Sequence, residues 1–328
     1  MKSAASSDRS LTVLISSAGR RGELLQCFRR SAEDIGVDLR LLACDLDPEW
    51  SAACHLADRA FAVPRADDPT YVDSLLEICA REGVDLLVPA IDTELIALSQ
   101  AHSQFAEQGT RVSVSEPGFV QMARDKEVTA RALAEHGIPT PATYTLEEVA
   151  GAPDGFEWPM MAKPNHGSAG RLISIIERPQ DLPVDPPEPL ILQELLVGPE
   201  YTINMFFDRQ GRAATVIPHR RVGIRAGEVE KGVTERRADI CRIGWKLAEA
   251  FTGVRGVICF QAIVTDRGPY VFEINARFGG GYPLAHAAGG EFARWLMQEA
   301  LGWPCEANDD WQEGVRMMRY DAAVFLPS

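Results

Sequence analysis

Two neighbouring stretches of the sequence carry oxygen-bearing side chains at spacings that suit a metal ion. Gln261 precedes Asp266-Arg267-Gly268-Pro269, which is typical of a tight turn, and Glu273 and Asn275 follow it. Apolar and polar positions alternate from Val257 to Phe278, so Gln261 is expected within about one residue of facing Glu273 across an antiparallel pair. Mg²⁺ prefers such oxygen donors and completes its shell with waters and phosphate oxygens. The pattern predicts a site for one or two Mg²⁺ ions that serve a nucleoside triphosphate.

The residues that follow favour this interpretation over a merely solvated hairpin face, which the alternation alone would also allow. Arg277 lies on the same face as Glu273, and its planar guanidinium can bind phosphate oxygens in pairs. The run Gly279-Gly280-Gly281 allows the backbone to approach a ligand closely. We therefore expect phosphate chemistry at this end of the hairpin.

A second phosphate-type signal lies upstream, at Lys163 and the glycine-containing loop after it. A strand that ends at Lys163 is expected to enter the loop Gly167-Ser168-Ala169-Gly170 and to leave it as the strand Leu172 to Ile176. Backbone N–H groups of such a loop can cover phosphates above a lysine. It is not a Walker loop, because the lysine precedes the glycines. An ordinary hairpin beside an edge lysine is the alternative.

Further along the chain, a strand containing Gln193 and Glu194 breaks at Gly198-Pro199 and resumes at Glu200. Such a break leaves backbone N–H and C=O groups unpaired, and these groups could hydrogen-bond to the edge of an adenine base. Glu200 would then lie where it could bind the ribose hydroxyls. Glu194 could equally be a solvated edge residue. A basic segment follows, which contains Arg221 and Lys231; it is a solvated face or part of the phosphate site.

The first part of the sequence alternates strands and helices, which predicts a doubly wound parallel sheet over residues 1–117. We expect strands at Leu11–Ile15, 39–44, 85–89 and 111–114, with helices at 69–82 and 93–108 among others. Ligands of such sheets bind at the carboxyl ends of the strands. The polar residues expected at that edge are Arg20, Arg21, Asp45, Asp92 and Glu94, which we take as candidates for substrate binding or, in part, as helix caps.

The first turn of this sheet also allows the hypothesis that the protein binds a nicotinamide cofactor. Ser17-x-Gly19-x-x-Gly22 resembles a dinucleotide-binding loop that lacks its first glycine, and Asp45 follows where a ribose-binding acid would lie. The pair Arg20 and Arg21 instead favours an anionic group at the start of the following helix. A purely structural turn is the third alternative.

The composition of the chain limits the classes of molecule that it is expected to bind. The 328 residues are 46% hydrophobic and 24% charged, with a formal net charge of −14. That charge argues against nucleic-acid and anionic-membrane partners, and the length predicts more than one domain. Seven scattered cysteines without metal-type spacing fit a reduced compartment, and no apolar run is long enough for a leader or a membrane span. We expect a cytoplasmic protein that acts on small molecules.

In their order along the chain, these motifs resemble the ATP-grasp superfamily. The motifs are Lys126, Lys163 with its glycine loop, Gln193-Glu194 with Glu200, Arg221, Gln261, and Glu273-x-Asn275-x-Arg277. The opening Ser17-Ala18-Gly19-Arg20-Arg21-Gly22 and the segment Pro89-Ala90-Ile91-Asp92-Thr93-Glu94 are similar to single-module proteins related to the carbamoyl phosphate synthetase large subunit and to the ligase of pyrrolysine biosynthesis.

The resemblance implies an α/β fold in which a pre-ATP-grasp domain (residues 1–117) precedes an ATP-grasp domain (118–328) of two α+β subdomains, with a lid subdomain at about 141–197. It also implies an ATP- and Mg²⁺-dependent ligase that joins a carboxylate to an amine through an acyl phosphate, and a homodimer is possible. A single module could not make carbamoyl phosphate by the two-module route.

The resemblance also assigns residues. Binding of ATP falls to Lys126, Lys163, Gly167, Ser168, Ala169, Gly170, Gln193, Glu194, Leu196 and Glu200. The metal ligands are Gln261, Glu273 and Asn275. The catalytic residues are Arg277, Arg221 and Lys231, of which Arg277 and Arg221 steady the γ-phosphate. Many members have an acidic residue where this chain has Gln261, so a second ion is expected to bind more weakly. A non-catalytic ATP-binding protein and a nicotinamide-dependent oxidoreductase are the alternative functions.

Overall fold

The computed structural model describes residues 9–167 and 173–326, and its first part is a five-stranded parallel sheet. The strand order is β3-β2-β1-β4-β5, with β1 at the centre. The strands are β1 (Ser10–Ser16), β2 (Asp38–Asp45), β3 (Arg59–Ala62), β4 (Leu86–Pro89) and β5 (Arg111–Val112). The predicted doubly wound sheet is thereby confirmed, and its apolar central strands are buried as expected of a sheet covered on both faces.

Helices connect these strands and lead into the rest of the chain. They are α1 (Gly22–Ile35), α2 (Ala52–Leu56), α3 (Tyr71–Glu82), α4 (Leu95–Gln100), α5 (His102–Glu107), α6 (Pro117–Arg124) and α7 (Lys126–Glu135). Asp125 caps α7 by accepting a hydrogen bond from the Val128 N–H. No helix in the described part of the chain is long and apolar enough to cross a membrane.

Two local predictions were wrong, and one strand was missed. The single helix expected over 93–108 is a 3₁₀ turn at Asp92–Glu94 followed by α4 and α5, which are separated at Ala101. The strand expected at 111–114 ends at Val112. Strand β3 was missed because it is a short edge strand with exposed residues at both ends, so its sequence has little apolar signal.

A second, antiparallel sheet of four strands has its own small core. Its order is β6-β9-β7-β8, and the elements are β6 (Thr143–Thr145), α8 (Leu146–Gly151), β7 (Met160–Pro164), β8 (Ser174–Ile176) and β9 (Leu190–Glu194). The core of this sheet consists of Val149, Met160, Ala162, Ile176 and Leu192. Lys163 lies near the end of β7, as predicted.

The third sheet has six strands in the order β14-β13-β10-β11-β12-β15. Its elements are β10 (Glu200–Phe207), β11 (Ala213–Arg225), β12 (Glu228–Thr234), α9 (Ala238–Ala250), β13 (Gly256–Thr265), β14 (Gly268–Asn275), α10 (Tyr282–Ala287), α11 (Phe292–Ala300) and β15 (Arg316–Met318). We call it the central sheet. It shares its cores with the parallel sheet, and the rings of Phe28 on α1 and Phe278 after β14 lie 6.1 Å apart. The residue-level domain boundaries and the lid range 141–197 stay predictions.

The break predicted at Gly198-Pro199 carries the chain from the four-stranded sheet to the central sheet. Gly198 lies against the backbone of Val264, the Val264 N–H donates to the Pro199 carbonyl at 3.0 Å, and any Cβ at position 198 would clash with the Val264 carbonyl. The close approach of the two backbones therefore requires glycine.

We expect Gly198→Ala to destabilise the protein by about 1–3 kcal/mol, because the added methyl group must displace the backbone of β13. Urea unfolding followed by circular dichroism measures this change. The matched control is Gly118→Ala, where a Cβ would meet no described heavy atom within 4 Å. Equal unfolding midpoints for the two variants would contradict the packing argument.

Candidate functional site

Polar side chains form two cross-strand rows on one face of the central sheet. Direct strand partners place Glu273, Gln261, Thr202 and His219 in one row, since Gln261 faces both Glu273 and Thr202, and Thr202 faces His219. A second row contains Asn275, Cys259 and Asn204. Side chains directly opposite one another share a face of the sheet. The predicted pairing of Gln261 with Glu273 is found in the structure.

Gln261 links Glu273 to an ion pair on the neighbouring strands. With its amide oriented to satisfy both groups, the nitrogen donates to Glu273 Oε2 at 3.3 Å and the oxygen accepts from Arg221 at 3.1 Å. Arg221, whose side chain is only 5% exposed, forms a hydrogen-bonded ion pair with Glu200. Glu200 and Arg221 were predicted separately, for ribose and γ-phosphate. Their contact means that each is held in place by the other.

Asn275 and Arg277 form the other end of this face and reach the parallel sheet. Arg277 Nη2 donates to Asn275 Oδ1 at 3.0 Å and to Asp92 Oδ2 at 2.7 Å. The Asp92 and Arg277 side chains are 6% and 11% exposed. Asp92 is therefore paired with Arg277, and this contact does not support the prediction that Asp92 binds a substrate ammonium group.

Lys163, on β7 of the four-stranded sheet, is buried next to β14 of the central sheet. Its Nζ donates to Gln193 Oε1 at 2.8 Å and lies 5.2 Å from the ring centre of Phe272 on β14. Burial lowers the pKa of Lys163 to about 8. The negative charge of Glu273 raises this pKa and the positive charge of Lys126 lowers it, but burial is the largest effect. Gln193 is 3% exposed and orients this ammonium group.

Lys126 holds the beginning of the glycine-containing loop. Its Nζ donates to the Gly167 carbonyl at 2.7 Å and to the Asn165 carbonyl at 3.3 Å, and burial lowers its pKa. Ser168, Ala169 and Gly170 lie outside the described residues.

One cavity brings together residues from three separately predicted groups. Its lining includes Asp92, Lys126, Gly167, Glu273 and Asn275. The ends of the parallel sheet, the lysine at α7 and the face of the central sheet therefore meet at one place.

Glu194 and Leu196, which were predicted to border the adenine, are not among the residues that line this cavity. Glu194 forms an ion pair with Arg267 in the β13–β14 turn, so its solvated-edge alternative describes its surroundings better than a buried contact does. Leu196 is half-buried in the segment between β9 and β10.

Lys231 is exposed on β12, and its stem packs on Gly223, away from the rows described above. The catalytic prediction for Lys231 gains no support from this placement.

Two acidic side chains of the parallel-sheet domain accept hydrogen bonds from backbone N–H groups. Asp45 accepts from the Gly19 N–H at 2.6 Å and from the Leu46 N–H at 2.8 Å, which fixes the first turn. Glu94 is fully buried and accepts from the N–H groups of Ala90 and Ile91 and from the Tyr71 hydroxyl. These contacts favour a structural role and do not support the prediction that the two acids bind substrate. An Asp45 engaged in this way also weakens the nicotinamide alternative.

The sequence reasoning missed a buried polar cluster in the middle of the central sheet. Asn204 and His219 are each 0% exposed, Asn204 Nδ2 and His219 Nδ1 lie 3.2 Å apart, and His219 Nε2 has no partner among the described residues. Burial lowers the pKa of His219 to about 3, so it is neutral at pH 7. A Cβ at Gly281 would lie 2.5 Å from His219 Nε2, which explains why the run after Phe278 is glycine-rich. The alternation of β10 and β11 could have identified this cluster.

Comparison with known proteins matches both parts of the chain. Residues 13–113 match the family model of the PylC-like N-terminal domain, and residues 123–281 match that of the ATP-grasp domain. Among solved structures, the biotin carboxylase domain of 2-oxoglutarate carboxylase from Hydrogenobacter thermophilus, in complex with MgADP and bicarbonate, has a TM-score of 0.73 at 17% identity, over 93% of this chain and 73% of that one.

Two further structures have the same fold. N5-carboxyaminoimidazole ribonucleotide synthetase from Thermotoga maritima has a TM-score of 0.66 at 18% identity, over 92% of this chain and 78% of that one. The L-amino acid ligase from Bacillus licheniformis has a TM-score of 0.67 at 16% identity, over 89% of this chain and 74% of that one. The predicted architecture, a parallel-sheet domain followed by a domain with two antiparallel sheets, is confirmed.

Proposed function

We propose, from the premise that this chain belongs to the ATP-grasp superfamily, that it joins a carboxylate to an amine in an ATP- and Mg²⁺-dependent reaction. Membership confirms the predicted class of ATP-dependent ligases and the predicted cofactors, ATP and Mg²⁺. The identities of the acid and the amine, and the roles of single residues, are our proposal.

The observation that carries the proposal is the cavity that unites Lys126, Gly167, Glu273 and Asn275. Phosphoryl transfer requires positioning and charge neutralisation more than covalent chemistry by the protein. The buried Lys163, the half-buried Lys126, the carboxylate of Glu273 and an arginine hydrogen-bonded to Asn275 are groups of the required kind. The sequence contains no Gly-x-Ser-x-Gly and no His-Glu-x-x-His motif that would point to hydrolytic chemistry.

The donor set fits Mg²⁺. Glu273 supplies a carboxylate and Asn275 an amide oxygen, and hard oxygen ligands with room for waters and phosphate oxygens suit this ion. Gln261 is engaged with Glu273 and Arg221, so in our proposal it orients these two groups and serves as a ligand only after its amide rotates. Bound Mg²⁺ would neutralise phosphate charge as it develops.

The proposed reaction has two steps. A substrate carboxylate oxygen attacks the γ-phosphorus of ATP, the bond to the β-phosphate oxygen breaks, and ADP leaves with the electron pair. The amine then attacks the acyl phosphate carbon, the carbon–oxygen bond breaks, inorganic phosphate leaves and the amine loses a proton. In this scheme Lys163 and Lys126 hold phosphates, and Arg277 is held by Asp92 beside the metal ligand Asn275.

Hydroxylamine should trap the acyl phosphate as a hydroxamate when the protein turns over ATP with its carboxylate substrate and no amine. The substrate is found by screening carboxylic and amino acids for acid-dependent phosphate release from ATP. The measurement is the ferric hydroxamate colour together with nucleotide analysis, with reactions lacking the acid as controls. We expect ADP and phosphate; AMP and pyrophosphate would mean adenylation and contradict the mechanism.

The partners and the compartment follow from the same proposal. A small-molecule carboxylate and an amine are the expected substrates, without nucleic acid or membrane. A homodimer is proposed because the carboxylase domain with the same fold is described as a dimer. All seven cysteines are free, which supports the proposed reducing cytoplasm. A non-catalytic ATP-binding protein would bind ATP with Mg²⁺ but release no phosphate with any acid.

A further inference from the structure

A second cavity lies beside the proposed phosphate site and is lined by three arginines from two separate segments of the chain. Its lining includes Arg20 and Arg21 of the first turn, Glu228 at the start of β12, Gly280, and Arg319 just after β15. Only Arg20 and Arg21 were anticipated from the sequence. We call this cavity the arginine pocket.

The charges in the arginine pocket do not balance. Glu228 accepts from Arg319 at 3.2 Å and lies 3.5 Å from Arg21. Burial alone would raise the pKa of Glu228, but the three arginines of the pocket and Arg277 lower it overall, so Glu228 is ionised at pH 7. Arg20 is exposed and makes no ion pair within the described residues. Glu23 also lines the pocket, and its carboxylate accepts a hydrogen bond from Arg30 at 2.7 Å. Counting Arg30, four guanidinium groups face the two carboxylates Glu23 and Glu228, which leaves two positive charges for a ligand.

Glu228 is not free to receive a substrate ammonium group, because it already bridges two arginines. Its position is fixed further by Gly280, where a Cβ would lie 2.6 Å from the Glu228 carboxyl carbon. Arg319 also donates to the Gly280 carbonyl. The guanidinium groups of Arg21 and Arg319 are thus held in place before a ligand arrives, which favours the binding of anions.

The arginine pocket adjoins the place where phosphoryl transfer is proposed. The chain runs from the metal-type residues Glu273 and Asn275 through Arg277 directly to Gly280. Arg21 is close enough to Arg277 and Asp92 for their charges to affect its own pKa, which burial and Arg277 lower. A small acid in the pocket would therefore have one end near the γ-phosphate.

We infer that the arginine pocket binds the carboxylate substrate of the proposed ligase, and that this substrate is a small dianion. One carboxylate would accept the phosphoryl group, and a second anionic group, either a carboxylate or a phosphate ester, would be held by Arg20 and Arg319. This inference rests on the proposed function for the identity of the reaction, but the pocket and its charge do not depend on it.

The test measures binding rather than turnover, by calorimetry with the full chain in the presence of Mg²⁺ and ADP. Diacids from malonate to adipate are compared with their monoamides, which have nearly the same size and one charge less. Phosphoglycolate tests the phosphate ester, and inorganic phosphate alone tests non-specific anion binding. We expect at least one dianion to bind roughly tenfold or more tightly than its singly charged counterpart, as one charge-assisted contact would provide.

Arg20→Gln and Arg319→Gln should each reduce that preference to about twofold or less, without changing the affinity for ADP. Arg319→Lys, which keeps the positive charge, should retain part of the preference for the dianion. The matched control is Arg225→Gln, which removes an exposed arginine with ion pairs to Glu230 and Asp321 outside the arginine pocket and should change nothing. Since Arg20 has no ion pair to lose, its variant tests the pocket even if Arg319→Gln weakens the fold.

The inference is overturned if no dianion binds, if diacids and monoamides bind equally, if phosphate alone binds as tightly, or if both variants keep the preference. Its failure can be told apart from a failure of the proposed function. Binding of a dianion without phosphate release from ATP would refute the ligase reaction alone. Phosphate release supported only by acids with a single charge would refute the dianion inference alone.

Discussion

Replacing Glu273 by Gln is expected to lower turnover by about a hundredfold or more while the protein stays folded. Glu273 is the single carboxylate among the three oxygen-bearing residues proposed for Mg²⁺, so its loss removes the negative charge that holds the ion against ATP. The change preserves side-chain volume, and the new amide can still hydrogen-bond to Gln261. Steady-state phosphate release at saturating Mg²⁺ measures the effect.

The control for this variant is Glu230→Gln, a carboxylate on β12 that pairs with Arg225 outside the site and should leave turnover unchanged. Circular dichroism and the thermal midpoint of both variants should match the parent protein. Turnover near the parent value for Glu273→Gln at saturating Mg²⁺ would remove Glu273 from the metal site.

The second large effect is expected at the buried ion pair between Asp92 and Arg277, which connects the parallel sheet to the central sheet. Asp92→Asn leaves the Arg277 guanidinium buried without its counter-charge, and breaking a buried pair in this way costs about 3–5 kcal/mol. We expect a correspondingly lower urea midpoint and loss of turnover, because Arg277 is no longer held beside Asn275.

An exposed pair provides the matched control. Arg65 and Asp67 are also hydrogen-bonded, but their side chains are 70% and 68% exposed, so Asp67→Asn should leave the urea midpoint nearly unchanged. Arg277→Gln combined with Asp92→Asn should be less destabilised than the sum of the single variants, because the double variant leaves no unpaired charge. Equal midpoints for Asp92→Asn and Asp67→Asn would show that the buried pair does not hold the sheets together.

Local patterns in the sequence were enough to predict much of the site. The period of two around a tight turn placed Gln261 opposite Glu273, and a lysine before a glycine-containing loop identified the end of β7. The ordered motifs then predicted the superfamily and its architecture. These features depend on residues close together in the chain, where spacing determines geometry.

Contacts between distant segments could not be predicted in the same way. Asp92 and Arg277 are separated by 185 positions, and nothing in either local pattern indicates the pairing. Arg319 reaches the arginine pocket only because β15 pairs with β12, and a three-residue edge strand has almost no sequence signal. The errors in the parallel sheet, such as the single helix expected over 93–108, concern short elements whose ends are decided by packing rather than by propensity.

The lowered pKa of Lys163 links nucleotide binding to proton binding. Near pH 8 the buried amine carries its proton only part of the time, whereas phosphate oxygens beside it would favour the ammonium form. Proton and nucleotide then bind cooperatively, and each raises the affinity for the other by the same factor. The ammonium form is fully populated below this pKa and is lost as the pH rises through it, so the affinity for ATP declines on the alkaline side. If Lys163 holds phosphate as proposed, the affinity of the protein for ATP is therefore expected to fall as the pH rises through about 8.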